Sequence, residues 1–204
     1  MSDLSMYLSK NFQLAELVFS ETAERYPKIK AKQENLWWRH SITENLRYLA
    51  NTTLQPIRDK LGFPINIISG YRSPSLNRKV GGHSKSQHLK GEAADCQLSE
   101  LFFTVPETDA VREEIESGVR KITGKSLRLD VGANFYLFAY VCLHIEELRT
   151  DQLIHEYGQG PGHPAWIHIS ATKGQCRKQI LAVGSYTGRH YWKLSLKEAL
   201  ACGT

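Results

Sequence analysis

The segment SQHLKGEAAD, Ser86–Asp95, combines a histidine and a carboxylate with a glycine between them. An imidazole nitrogen and a carboxylate oxygen are suitable ligands for a borderline cation such as zinc. Gly91 allows the chain to turn between the two, because glycine accepts backbone angles that other residues resist. If a strand follows, the small Ala93 shares a face with Asp95 and leaves room for an ion. His88 and Asp95 are therefore candidate metal ligands, and a third is needed, since catalytic zinc usually has three protein ligands.

The best candidate for the third ligand lies far downstream, in AWIHIS, residues 165–170. Aromatic and β-branched residues after the Gly/Pro-rich residues 160–164 predict a short strand. His168 would share one face of it with Trp166 and Ser170, while the flanking isoleucines face the other way and hold the histidine rigidly. A hydrogen-bonded core histidine is the alternative. The combination with His88 and Asp95 favours the ligand.

Three segments in this order resemble the three motifs of the peptidase M15 family: SGYRSP (residues 69–74), the stretch from His88 to Asp95, and WIHIS (residues 166–170). The family comprises zinc D-alanyl-D-alanine carboxypeptidases and related peptidoglycan peptidases, including phage lysins. Each motif alone is a modest signal, but three in the right order are strong. The resemblance implies a Hedgehog/DD-peptidase-like fold and one Zn²⁺ per chain, bound by His88, Asp95 and His168.

Arg72 follows a predicted strand, residues 64–71, and would lie beside the metal site. Its planar fork suits a carboxylate, so in a carboxypeptidase it could bind the terminal carboxylate of the substrate or the oxyanion. A surface salt bridge is the alternative. The position of Arg72 within the first of the three segments that resemble the family motifs favours the functional role. Ser86, just before His88, is expected to contact substrate or to position the loop.

The general base is less directly indicated. The family normally has a glutamate close before the third ligand, often three residues ahead, where this chain has Ala165. Glu156 ends a predicted strand, residues 151–158, that would pair with the strand of His168, and it reaches the metal side if the register permits. Zinc-dependent hydrolysis needs a base beside the attacking water. We therefore expect Glu156 to be that base. His163 is the other candidate, and the alternative for His163 is a loop histidine without a catalytic role.

The periodicity predicts an α+β fold: one domain, residues 1–204, with N-terminal helices and a small, mainly antiparallel sheet that carries the zinc site. Its core would span residues 10–173, and residues 174–204 would form a closing hairpin or extension. The helices are expected at residues 12–24, at residues 45–61 after a capping box at Ser41–Glu44, at residues 110–122 and at residues 134–148. Residues 28–38, with Trp37 and Trp38, are expected to form a loop.

Composition excludes several classes. The 204 residues carry a net charge of +5 and 41% hydrophobic residues, ordinary values for a globular domain. The sequence contains no arginine-rich run, so it gives no indication of a nucleic-acid partner. The four cysteines have no CxxC spacing, so they predict neither a zinc ribbon nor a disulfide scaffold but free thiols. Cys96 is expected to point away from the metal.

The resemblance implies a zinc metallopeptidase that hydrolyses peptide bonds in peptidoglycan stem peptides, like a D-alanyl-D-alanine carboxypeptidase. The alternatives are a phage lysin that cuts the L-Ala–D-Glu bond and a non-catalytic, zinc-containing wall-binding module. The expected partner is peptidoglycan or a muropeptide, and the chain is expected to be a monomer without a membrane span. The first residues show no secretory signal. We therefore expect synthesis in the cytoplasm and release onto the cell wall at lysis, as a phage or prophage product.

Overall fold

The computed structural model describes residues 4–35, 40–188 and 190–204. The helices are α1 (Leu14–Val18), α2 (Glu21–Glu24), α3 (Pro27–Glu34), α4 (His40–Leu49), α5 (Gln55–Leu61), α6 (Pro74–Lys79), α7 (Asp109–Thr123), α8 (Ala133–Leu143) and α9 (Leu196–Ala201). The strands are β1 (Ile65–Ser69), β2 (Ala93–Leu98), β3 (Thr150–Glu156), β4 (Trp166–Ala171), β5 (Gln179–Val183) and β6 (Trp192–Leu194).

The six strands form one mixed sheet in the order β1-β2-β4-β3-β5-β6. Among the described strands, β3 and β5 are parallel, and the other neighbours are antiparallel. The α+β class and the mainly antiparallel sheet are thus confirmed. The sheet is larger than the small one expected, because the hairpin of β5 and β6 adds two strands to it rather than closing over it. The strands β2 and β4 lie side by side within it.

The apolar stripe after residue 45 is buried as expected, and Gly62 ends it with φ +62°. Its helix is divided, because α4 and α5 are joined by a π-helical segment, Ala50–Leu54. Pro56 explains the division: proline has no N–H to donate, and its ring crowds the carbonyl four residues earlier. The prediction of a capping box at Ser41–Glu44 is wrong. The helix already includes His40, and Glu44 pairs with Arg47 instead.

The N-terminal helix expected at residues 12–24 is interrupted. Phe19 is extended, and Ser20 caps α2 by accepting a hydrogen bond from the backbone of Ala23 at 3.2 Å. The loop expected after residue 28 is also wrong, because Pro27 occupies the first turn of α3, where proline is favoured. Trp37 and Trp38 lie outside the described residues.

The core lies between the sheet and the later helices. Helix α8 is buried on nearly every side, and the buried face of α7 packs against it. Gly124 ends α7 with φ +77°, as expected. Helix α8 ends at Leu143, earlier than predicted, and His144 stacks on Tyr140 with ring centroids 4.6 Å apart. Within residues 4–35, 40–188 and 190–204, no helix combines the length and apolar character that a membrane crossing requires.

All four cysteines are free. Cys96 is fully buried and is paired with Ile67 and Ile167 in the sheet. Side chains alternate along a strand, so Cys96 points to the opposite face from its neighbour Asp95. This confirms the expected free thiols and separates Cys96 from the candidate ligands.

Candidate metal centre

The pairing of β2 with β4 places Asp95 directly opposite His168. His88 comes from a 3₁₀ turn, Gln87–Lys90, that precedes β2. Its Nε2 lies 3.1 Å from Oδ1 of Asp95 and 3.1 Å from Nδ1 of His168, and the last two atoms are 3.0 Å apart. All three side chains are buried. The three residues that the sequence singled out therefore converge at one point of the fold.

The donor set fits a zinc ion. Two imidazole nitrogens and one carboxylate oxygen form a nearly equilateral triangle, and such nitrogen and oxygen donors suit Zn²⁺. In a tetrahedral site with bonds of about 2.0–2.1 Å, ligand atoms lie roughly 3.3 Å apart, close to the spacing found here. A set of three protein ligands is also the number typical of catalytic rather than structural zinc.

Backbone groups orient the first histidine. Nδ1 of His88 donates to the carbonyl oxygen of Gly70 at 2.6 Å. With an ion bound, the ring would be neutral and Nε2 would offer its lone pair to the ion, whereas without an ion a protonated ring can donate to Asp95. Gly91 ends the 3₁₀ turn with φ +70°, and a Cβ there would lie 2.8 Å from the carbonyl oxygen of Ile42. The expected role of Gly91 in turning the chain between two candidate ligands agrees with this geometry.

Asp95 is kept ionised by its surroundings. Burial alone would raise the pKa of its carboxyl, but the charge of His88 and hydrogen bonds from His168 and His88 hold that pKa well below its usual range. A carboxylate that stays deprotonated is available to a cation at neutral pH.

Arg72 makes a contact that the sequence did not suggest. Its Nη2 donates to Oδ2 of Asp95, and its Nε donates to Oγ of Ser69 at 2.8 Å. The side chain is only 17% exposed, so this is not the surface salt bridge considered as the alternative. Arg72 thus holds the oxygen of Asp95 that does not face the histidines, and its Nη1 has no acceptor among the described residues.

Glu156 lies on the same face of the sheet as His168. It pairs with Trp166 across β3 and β4, while Ile154, two residues earlier, pairs with His168. The register that the sequence left open is therefore the one that brings Glu156 to the metal side. Its Oε2 accepts a hydrogen bond from Nε1 of Trp166 at 2.7 Å. Burial and the charge of Asp95 raise the pKa of Glu156, against the opposing effects of His168, Trp166 and Arg72.

Ser86 and His163 occupy different positions. Ser86 immediately precedes the 3₁₀ turn of His88 and lines the same cavity as the candidate ligands. His163 lies on the β3–β4 connection, where its Nε2 is 3.5 Å from Oδ2 of Asp130. It is not among the described residues that line the cavity. Of the two candidate bases, Glu156 therefore lies on the cavity wall and His163 does not.

The ligands open into a cavity of about 1110 Å³. Its wall includes the three candidate ligands, Arg72 and Glu156, and further residues that the sequence did not single out for the site: Gln87, Lys85, Tyr157 and Arg177. Arg177 could not be found by a motif, because its approach to the site depends on the pairing of distant strands, whereas Gln87 lies within the segment Ser86–Asp95, directly before His88.

A family model described as Peptidase M15 matches residues 10–120, which is more than half of the chain. The matched part contains Arg72, His88 and Asp95. It ends before Glu156 and His168, which the sheet brings to the same place independently. Among curated proteins, none matches the chain. The family match and the assembled cluster agree, and the chain belongs to the peptidase M15 family.

Proposed function

We propose that this protein is a zinc metallopeptidase that hydrolyses peptide bonds in peptidoglycan stem peptides, in the manner of a D-alanyl-D-alanine carboxypeptidase. M15 peptidases are generally zinc-dependent, and membership of the family points to a peptidase with a peptide substrate. The observation that carries the proposal is the triangle of His88, Asp95 and His168, with Glu156 on the same face of the sheet.

His88, Asp95 and His168 would hold the ion. When bound, zinc supplies a Lewis acid and lowers the pKa of a bound water towards about 7. Glu156 takes the proton of the attacking water and returns it to the leaving amine. The N–H of Trp166 holds Oε2 of Glu156, and no described residue donates to Oε1, which is therefore the oxygen available to the proton.

Arg72 contributes positive charge beside the reacting carbonyl. Its Nη1 is available to the developing oxyanion or to the terminal carboxylate of the substrate, while Nη2 and Nε stay engaged by Asp95 and Ser69. Ser86 lines the cavity beside His88 and is placed to contact the peptide.

Two other functions stay open. A phage lysin that cuts the L-Ala–D-Glu bond would use the same centre with a different group of the substrate at Arg72. A non-catalytic module would keep zinc and bind wall peptides. Glu156 favours an enzyme, because a buried carboxyl group on the same face of the sheet as His168 is placed to transfer protons beside the candidate metal centre.

We further propose that the protein acts as a monomer on peptidoglycan or muropeptides and reaches the wall as a phage or prophage product released at lysis. The absence of an arginine-rich run in the sequence argues against nucleic acid as the partner.

Metal analysis of the purified protein together with mass analysis of the products from purified peptidoglycan tests the proposal. We expect about one zinc per chain, and free D-Ala as the product. His168→Ala should lose both the metal and the cleavage. His144→Ala is the matched control, because His144 stacks on Tyr140 away from the cavity wall. Release of a longer peptide would indicate the lysin. Bound zinc without any cleavage would indicate the binding module. Absence of bound metal would contradict the proposal.

A further inference from the structure

Arg177 is held on the cavity wall by a buried carboxylate. Its backbone N–H donates to Oδ1 of Asp151 at 2.7 Å, its Nε donates to Oδ2 at 3.0 Å, and its Nη2 also donates to Oδ2. Asp151 is 2% exposed, whereas the side chain of Arg177 is 49% exposed. Surface ion pairs join two mobile side chains and contribute little to stability. Here one partner is fixed inside the protein, so the guanidinium has a defined position.

A β-bulge produces this arrangement. Thr150 pairs with Ala171 and Gln152 with Ser170, so Asp151 is the extra residue on β3 and has no partner on β4. Bulges redirect a side chain relative to the regular alternation of a strand. The carboxylate of Asp151 is thereby directed to Arg177, which lies just before β5.

Gln87 connects this pair to the metal centre. Its Nε2 donates to Oδ2 of Asp151 at 3.0 Å, and its Oε1 accepts from Nη2 of Arg177 at 3.3 Å. Gln87 precedes the candidate ligand His88 directly and also lines the cavity. Arg177, Gln87 and the metal centre thus share one wall.

The remaining donors of Arg177 are free to bind an anion. Nη1 has no acceptor among the described residues, and Nε and Nη2 are fully occupied by Asp151 and Gln87. Lys85 lines the same cavity and forms no ion pair with any described residue. Arg177 and Lys85 thus give the lining of this cavity a fixed guanidinium and an unpaired ammonium, and such donors favour a carboxylate as ligand.

The position along β3 indicates which carboxylate. Asp151 and Gln152 precede Ile154, the partner of His168, by three and two residues. At about 3.3 Å per residue of strand this is roughly 7–10 Å, which an extended peptide spans in two or three residues. We propose that Arg177 and Lys85 form a subsite for a free carboxylate of the peptide substrate, two or three residues from the bond that is cut. The inference rests on the proposed peptidase function and extends it to acidic peptides.

Binding to zinc-loaded Glu156→Gln protein tests the subsite without turnover. The probes are the synthetic pentapeptide L-Ala-γ-D-Glu-L-Lys-D-Ala-D-Ala, its analogue amidated at the α-carboxyl of D-Glu, and its analogue amidated at the C-terminus. For the proposed D-Ala–D-Ala bond, the carboxylate at this distance is the α-carboxyl of D-Glu, so we expect amidation of that group to weaken binding about tenfold, as the loss of a partly exposed charge-assisted contact would. Arg177→Gln should weaken binding of the parent peptide by a similar factor. It should not further weaken binding of the analogue that is amidated at D-Glu.

Three variants separate recognition from folding. Arg177→Lys keeps a charge for Asp151 but loses the fork, so we expect it to restore stability and only part of the selectivity. Lys85→Gln does not touch Asp151 and should reduce the preference for the acidic peptide by a smaller factor. Arg120→Gln, an exposed arginine on α7, is the control and should change nothing.

Equal weakening of all three peptides by Arg177→Gln, or no weakening at all, would overturn the subsite, as would failure of the parent peptide to bind. The outcome is separable from that of the proposed function. Peptide cleavage by the wild-type protein without selectivity for the carboxylates would contradict only the subsite, whereas selective binding without cleavage would support the subsite and contradict the peptidase.

Discussion

Arg72 donates to the outer oxygen of Asp95, whose inner oxygen lies 3.1 Å from the ring of His88 and 3.0 Å from the ring of His168. One carboxylate is therefore shared between a guanidinium and the candidate metal centre. Groups that hold a metal ligand in this way fix its orientation and tune its affinity for the ion. Arg72 has a structural task at the centre as well as the catalytic one that we propose.

Arg72→Gln should weaken zinc binding. Loss of a group that positions a metal ligand typically costs about 10- to 100-fold in metal affinity. Competition titration with a chelator would measure it. Arg120→Gln is again the control, and Arg72→Lys should retain only part of the affinity because it loses the contact to Ser69. Unchanged zinc affinity in Arg72→Gln would mean that Arg72 serves the substrate alone.

Glu156→Gln should abolish cleavage and retain zinc. General base catalysis contributes about 10²- to 10⁴-fold to such reactions, so kcat should fall by that order. Steady-state kinetics and metal analysis on the same preparation would show it. Full activity of the variant would exclude Glu156 as the base, and His163→Gln is the comparison that tests the other candidate.

The same substitution should stabilise the metal-free protein. The pKa of Glu156 is raised by burial and by the charge of Asp95, so its ionised form is disfavoured in the folded state. The unfolded chain loses that proton first as the pH rises, which costs stability at neutral pH. Thermal unfolding after chelation should therefore give a higher Tm for Glu156→Gln at pH 7. The difference should disappear below the pKa of the unfolded carboxyl, and an equal difference at both pH values would contradict the explanation.

His155 should make stability depend on pH. Burial lowers the pKa of His155 to about 4, although its hydrogen bond to the carbonyl oxygen of Pro161 opposes the shift. Between that value and the unfolded pKa of about 6.5, the unfolded chain binds one more proton at His155 than the folded chain does. The contribution of His155 to the free energy of unfolding is therefore fully present above about pH 6.5 and falls as the pH decreases below it. The full loss in the free energy of unfolding is about 3 kcal/mol.

Urea unfolding between pH 7 and pH 4 would measure the effect of His155. His155→Gln keeps a donor for Pro161 and does not titrate, so the stability curve of the variant should be flatter over this range. His40→Gln, at an exposed position, should follow the wild type. Parallel curves for His155→Gln and the wild type would contradict the assignment.

Gly70→Ala should damage the fold and the centre together. A Cβ at Gly70 would lie 2.2 Å from the carbonyl oxygen of Leu17, and the carbonyl of Gly70 itself holds His88. Overpacking of this kind costs about 1–3 kcal/mol, and the displaced backbone should also lower zinc affinity. Gly174→Ala, with nothing within 4 Å, is the control and should change neither unfolding nor metal binding. Normal zinc affinity in a destabilised Gly70→Ala protein would separate the two effects.

The parts of the site that were predictable rest on local patterns. Strand alternation placed Asp95 and His168 on defined faces, and the predicted pairing of the strands of Glu156 and His168 is present in the sheet. The buried stripe before Gly62 followed from helical periodicity in the same way. Such signals are contained within a few residues and survive in the folded protein.

The parts that were missed depend on tertiary contacts. Arg72 and Asp95 are 23 residues apart and Asp151 and Arg177 are 26 apart, and no periodicity links either pair. The bulge at Asp151 breaks the alternation on which strand prediction relies. A loop is the prediction for residues 28–38, although Pro27 suits the first turn of a helix, and α3 begins there.

The spacing of the candidate ligands along the chain has a consequence for folding kinetics. His88 and His168 are 80 residues apart and meet only when β2 pairs with β4. Closing so long a loop is entropically unfavourable, and non-local strand pairing is slow. If the site is completed after the folding transition state, zinc stabilises only the native state. We then expect stopped-flow measurements to show that zinc leaves the refolding rate unchanged and slows unfolding, so that the ion prolongs the lifetime of the folded chain without guiding its formation.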